Sequence, residues 1–358
     1  MPDYKKAFAY GNYYDYQTGF EMTNIIMDTA EKANTDEEKE GCVQAFYFAA
    51  EEIQANVNIS PLDAKNYMYL MRIYGALGKL GINPEENFKL AQEALDKGIA
   101  LAPRRTEFYF SKSLIARDQG KYEEAIAAAQ EAFKLSPTFG DSFWYLGLAY
   151  LDSGDKDKAK PLLKEALERG CGSDAVELIS ISQRFPLENN FDLLKLLYEK
   201  IVGLQPEDEQ ARLTLALIKK AGGDEDDYNK MKEELKAKGY EDKKFYAGVA
   251  ICYVNLGATS EMEEAVRQAA LAGLNLSFSE NVIWRANLYI KLKRFDKAIA
   301  VYEEGIRNNP ADPQLYASLA AVYKEMGNTL KAREVTLKIL DLNPAYQEQV
   351  EEFLKILE

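Results

Sequence analysis

Residues 141–170 read DSFWYLGLAYLDSGDKDKAKPLLKEALERG. Phe143, Leu146, Gly147 and Tyr150 stand at i, i+3, i+4 and i+7, the spacing of one helical stripe. Gly154 follows, where a helix ends most readily because glycine adopts the left-handed backbone without a Cβ penalty. Ala159, Leu163 and Ala166 then mark the buried stripe of a second helix. Small residues at Gly147 and Ala159 let the two backbones approach, and the aromatic side chains fill the space around them. The stretch predicts a helix–turn–helix hairpin, with Phe143, Leu146, Gly147 and Tyr150 holding helix against helix.

The hairpin recurs. Ala91, Ala125 and Ala159 stand 34 residues apart, as do Pro103 and Pro137, Tyr289 and Tyr323, Ala298 and Ala332, and Pro310 and Pro344. A repeat of this kind overrides any count of globular domains from the length of 358 residues. Aligned units place first helices near 65–77, 107–118, 141–153, 176–186, 210–221, 244–256, 280–292 and 314–326. Some units drift. The first carries the extra residues GINPEENF before Ala91, Pro186 is expected to truncate the first helix of the fourth, and Tyr228 occupies the alanine slot of the fifth. Pro61 precedes Tyr67 by the six residues that also separate Pro103 from Tyr109, so residues 1–60 read as an elongated, degenerate helical pair.

The unit resembles the tetratricopeptide repeat, whose pattern is Trp-x2-Leu-Gly-x2-Tyr followed by Ala, a large residue, Ala and Pro. The resemblance implies an all-α, right-handed superhelical solenoid: an irregular N-terminal pair over 1–60, about eight repeats over 61–344, and a capping helix over 345–358. It also implies a concave groove, lined one position beyond the packing stripe, where a peptide or partner helix lies. Those positions hold Phe110, Leu114 and Arg117, then Trp144, Leu148 and Leu151, then Ile179, Leu213 and Leu217, and further on Ile251 and Val254. Phe110 and Trp144 are the expected anchors for an apolar partner segment. The competing reading is that these side chains only extend hairpin-to-hairpin packing. Repeats that hold acidic chaperone C-termini place Lys and Asn here as a carboxylate clamp. The corresponding Met68, Arg72, Phe110, Leu114, Trp144 and Leu148 argue against one.

Composition narrows function. The net charge of −14 opposes binding a phosphate backbone, so nucleic acid is not an expected partner. The chain has no histidine, which removes the commonest general base and metal ligand. Cys42, Cys171 and Cys252 form no CxxC pair and are expected to be buried structural thiols. DSGDKDK lacks the residue order of a calcium loop and GDEDD sits in an inter-helix turn, so both read as solvated turns. The tyrosines of AYGNYYDY fit core or an end surface better than sugar stacking. No catalytic site, metal or cofactor is expected. No stretch reaches the ~18 apolar residues of a membrane helix, and the start lacks a signal peptide's apolar run, so a cytoplasmic location is the default.

A looser similarity links the first half to repeat domains of bacterial O-antigen ligase or polymerase-like proteins, which would imply a location outside the cytoplasmic membrane. The expected function is a non-enzymatic protein-interaction scaffold; end-to-end self-assembly into an oligomer or filament is the alternative. In the last segment Val350, Phe353, Leu354 and Leu357 form one apolar stripe, as a capping helix requires.

Overall fold

A computed structural model describes residues 35–357, and every regular element among them is helical. They divide into two compact units, the break falling between Cys171 and Gly172. The first helix expected within 1–60, and the tyrosine-rich stretch in it, lie outside the described residues.

The first unit contains α1 (Asp36–Ile59), α2 (Ala64–Lys79), α3 (Pro84–Leu101), α4 (Thr106–Asp118), α5 (Tyr122–Leu135), α6 (Gly140–Asp152) and α7 (Lys156–Glu168). The second contains α8 (Ala175–Ser182), α9 (Phe191–Leu204), α10 (Glu209–Ala221), α11 (Asp226–Ala237), α12 (Asp242–Asn255), α13 (Thr259–Leu271), α14 (Ser279–Lys291), α15 (Phe295–Asn308), α16 (Pro313–Glu325) and α17 (Thr329–Leu342). A 3₁₀ turn (Pro344–Tyr346) and α18 (Gln347–Ile356) follow. From α2 to α17 the helices pair in sequence order, α2 with α3, α4 with α5, and so on.

Local chemistry sets the helix starts. Asp63, Asp174, Asp208 and Asp312 each accept a hydrogen bond from a first-turn amide of the helix that follows, satisfying a donor with no partner inside the helix. The recurrent Pro-x5-Tyr spacing has a physical basis. The hydroxyls of Tyr67, Tyr109 and Tyr316 donate to the carbonyls of Pro61, Pro103 and Pro310 at 3.0, 2.8 and 3.0 Å. Each bond ties a hairpin's first helix to the loop before it.

The alanine slots fill as expected, with Ala91, Ala125, Ala159, Ala298 and Ala332 fully buried. A Cβ built on Gly147 would come within 2.9 Å of Leu163 Cγ and 3.2 Å of Leu163 N, so glycine there permits the close approach of α6 and α7. Leu146 and Gly147 are buried, but Phe143 and Tyr150 are only half-buried, whereas Trp144, expected outside the packing stripe, is 7% exposed. The stripe is thus rotated by about one residue from the expected one. Phe143 meets Phe133 edge-on at 5.0 Å, with the Arg169 guanidinium 4.8 Å from its ring. The hydroxyl of Tyr150 accepts from Gln130 at 3.1 Å. Both rings bridge a packed face and a wet one, which their size permits.

In the second unit α8 stops at Ser182, four residues before Pro186. Pro186 accounts for the stop, because it has no amide to bond to the Ser182 carbonyl four residues back and it drives Phe185 out of the helical region. The chain leaves the helix to bury Phe185, and Leu187 N donates to Leu256 O at 2.8 Å, pinning the segment to the end of α12. Tyr228, in the fifth alanine slot, is 8% exposed and packs against Phe245 at 5.7 Å between ring centres. Burial raises its hydroxyl's pKa. At the end of this unit α18 lies on α17, with Val350 buried and Phe353 and Leu357 half-buried against the core of α14–α17.

Candidate functional site

The candidate partner-binding residues divide between the units. In the first, Phe110, Trp144, Leu148 and Leu151 are buried, while Leu114 is 38% exposed. In the second, Leu213, Leu217 and Val254 are buried, and Ile179 and Ile251 half-buried. Most of this stripe is buried, Trp144, one of the two expected anchors, among it. First helices of neighbouring hairpins meet, α4 with α6 and α10 with α12.

What remains open in the first unit is an aromatic edge. Phe110 on α4 stacks on Tyr145 of α6 with ring centres 4.7 Å apart and 15° between planes. Phe139, immediately before α6, has its ring centre 6.5 Å from that of Phe110. It is 52% exposed. Leu114 follows Phe110 by one helical turn, so Phe139, Phe110, Tyr145 and Leu114 form a short apolar strip. The sequence reading missed Tyr145 and Phe139. Tyr145 was overlooked because the stripe was set one residue off, and Phe139 because it precedes the helix. An exposed phenylalanine at the same helix-start position, Phe278 before α14, was the available signal.

The polar member of the strip's stripe is not available for a charged ligand. Arg117 Nε donates to Asp152 Oδ2 at 2.6 Å, and both side chains are largely buried. At the positions of a carboxylate clamp, Met68, Phe110, Trp144 and Leu148 are buried and Arg72 is half-buried. No lysine or asparagine stands among them.

Of the thiols, Cys42 and Cys252 are buried and Cys171 is half-buried. Burial pushes the Cys252 thiol up to about 11, away from the reactive thiolate. Cys171, expected to be buried, instead points its thiol at Asp141 Oδ1, 3.6 Å away. Among the described residues no group of His, Cys, Asp and Glu has a metal-holding arrangement, and no helix is long and apolar enough to cross a membrane.

Comparison with known proteins gives the repeat its name. A TPR repeat model matches residues 114–154 and 286–327, and a tetratricopeptide repeat model matches 141–169 and 313–346. The chain contains tetratricopeptide repeats. It is 24% identical over 242 residues to Hsp70-Hsp90 organizing protein 1 of Glycine max, covering 64% of this chain and 40% of that protein. It is also 24% identical over 241 residues to Hsp70-Hsp90 organizing protein 3 of Arabidopsis thaliana, covering 64% and 41%. The chain thus spans about two fifths of the length of the curated relatives it matches. A tetratricopeptide repeat protein from Parabacteroides merdae aligns over 96% of this chain and 98% of its own at 13% identity, with a TM-score of 0.39. The looser resemblance of the first half to O-antigen ligase-like proteins finds no support.

Proposed function

We propose that this chain, built of tetratricopeptide repeats, is a non-enzymatic scaffold that binds a peptide or partner segment along the first helices of its hairpins, the face that lines the concave groove in such repeats. The observation that carries this reading is the strip of Phe139, Phe110, Tyr145 and Leu114, where a stacked aromatic pair is flanked by two exposed apolar side chains. Rigid, already packed rings lose little entropy on binding, so such a strip favours an apolar segment. Phe110 and Tyr145 supply the base and Phe139 and Leu114 the accessible contacts. Trp144, Leu148 and Leu151 support the helices beneath, and Ile179, Leu213 and Leu217 hold the equivalent positions in the second unit.

The relatives are named for organising Hsp70 and Hsp90. A partner of that kind held by its terminal carboxylate is disfavoured here, because the clamp positions are apolar and Arg117 is already paired with Asp152. End-to-end assembly draws less support: α18 covers part of the last hairpin.

The test places a photo-crosslinking amino acid at position 114 or 139, with an exposed position on α3 such as Glu93 as the control. Crosslinked segments should be apolar and specific to the first two sites, and Leu114→Ser with Phe139→Ser should abolish their capture while the helical signal is kept. Equal capture at the control site, or capture unchanged by the double substitution, refutes this face.

A further inference from the structure

A cavity of about 560 Å³ lies among α16, α17 and α18, within the range of small-ligand pockets. Its buried members are Ala320, Thr336, Ile339 and Val350, and its more open ones include Ala317 and Phe353. The cause is local. Thr336 occupies the slot that holds Leu163 in α7 and Tyr302 in α15, and it is too short to fill the space beside Ala320. Its hydroxyl donates to Ala332 O at 2.7 Å, so its polar group is already satisfied within α17. The terminal helix closes the space from one side with Val350 and Phe353.

Among the lining residues Asp312 alone carries charge. Its Oδ1 caps α16 by accepting from Gln314 N at 2.9 Å, and a carboxylate's second oxygen offers further acceptor capacity. Ala317 and Ala320 lie roughly 8 and 12 Å along the helix axis from Asp312 at the usual rise per residue. At the apolar end the Lys324 ammonium sits 5.6 Å from the centre of the Phe353 ring. It is about 18 Å along α16 from Asp312. We propose that this cavity binds a flat apolar group carrying a cationic amine, the ring held between Ala320, Thr336, Val350 and Phe353 and the ammonium at Asp312. The apolar walls favour the ring by removing it from water, and the carboxylate at the other end selects the sign of the head group. An arylalkylamine supplies both features, a flat ring and a charged amine at the end of a short chain.

The experiment uses the full chain and saturation-transfer NMR with tryptamine, and with indole-3-propionate as the same ring bearing the opposite charge. Tryptamine should bind and indole-3-propionate should bind about tenfold more weakly or not at all. Thr336→Leu, which restores the residue type of the Leu163 slot, and Ala317→Leu, on an exposed position of α16, should each weaken tryptamine by about tenfold or more. Asp312→Asn keeps the cap acceptor and should remove the difference between the two compounds. If Thr336→Leu does not fold, Ala317→Leu decides. The proposal is overturned by the absence of tryptamine binding, by binding unaffected by the filling substitutions, or by equal affinity of wild type for both compounds.

Discussion

In α6/α7, Gly147 faces Leu163; in α16/α17 the same two repeat slots hold Ala320 and Thr336. In the first hairpin a branched side chain lies against a residue with none, so close that an added Cβ would stand 2.9 Å from Leu163 Cγ. In the second, two small side chains face each other and a cavity of about 560 Å³ remains beneath α18. Backbone pairing is alike in both. The difference teaches that the repeat sets where helices lie, whereas the volume sum at two slots sets whether their seam is closed.

The comparison breaks most severely at Leu163. It is fully buried, and Leu163→Ala should cost about 2–5 kcal/mol by lost transfer energy and a new cavity. Urea unfolding followed by circular dichroism checks this; a cost below that of an exposed substitution would mean that α6/α7 collapses freely around the gap. Next comes deletion of residues 347–358. Val350 alone of its apolar stripe is buried while Phe353, Leu354 and Leu357 are half-buried, so the loss should be about 2–3 kcal/mol, near the burial of one full aliphatic side chain. Thermal melting with light scattering should show a lower midpoint and concentration-dependent association. An unchanged, monodisperse melt would show that α18 is no cap.

Gly147→Ala follows, at about 1–3 kcal/mol, because the new methyl must push Leu163 and the α7 backbone aside. The matching Ala320→Gly crowds no neighbour and should cost roughly 1 kcal/mol of helix propensity plus the loss of one buried methyl. No cost for Gly147→Ala would remove the distinction drawn between the two hairpins. The turns provide the smallest effect. Gly154 closes α6 at φ +90°, but after α14 the equivalent backbone turn is made by Lys293 at φ 58°. Lys293→Gly should stabilise by about 1 kcal/mol through relief of left-handed strain, less a few tenths for its exposed ion pair with Glu325. A differential scan showing destabilisation would mean that the lysine's contacts outweigh the strain.

Much of the fold was legible at particular residues. The period of 34 set by Ala91, Ala125 and Ala159 located the helices closely: α6, expected over 141–153, runs from Gly140 to Asp152. The end of α8 was legible only as a region. Pro186 announced the break, and the helix stops at Ser182, whose i+4 amide the proline removes; the bond from Leu187 to Leu256, some seventy residues later in the chain, was not announced. The candidate site was less legible still. The stripe points to Phe110, Leu114 and Trp144, of which only Leu114 is exposed, and it leaves out Phe139 and Tyr145 beside Phe110. A periodic stripe fixes a helix face only to about one residue, or 100° of rotation, which is enough to exchange a packed ring for an open one.

The amino-acid sequence by itself determined the repeat, the helical hairpin and the places where glycine or proline ends a helix, because these rest on local backbone sterics and on periodicities within a single turn or unit. Its composition also set the charge and removed histidine chemistry. Tertiary structure decided which aromatic side chains are covered, what the segment after α8 is pinned to, and whether the slot pair at Ala320 and Thr336 is filled or hollow. These depend on the volumes and donors that distant segments bring to one point, and neither a stripe nor a spacing encodes them.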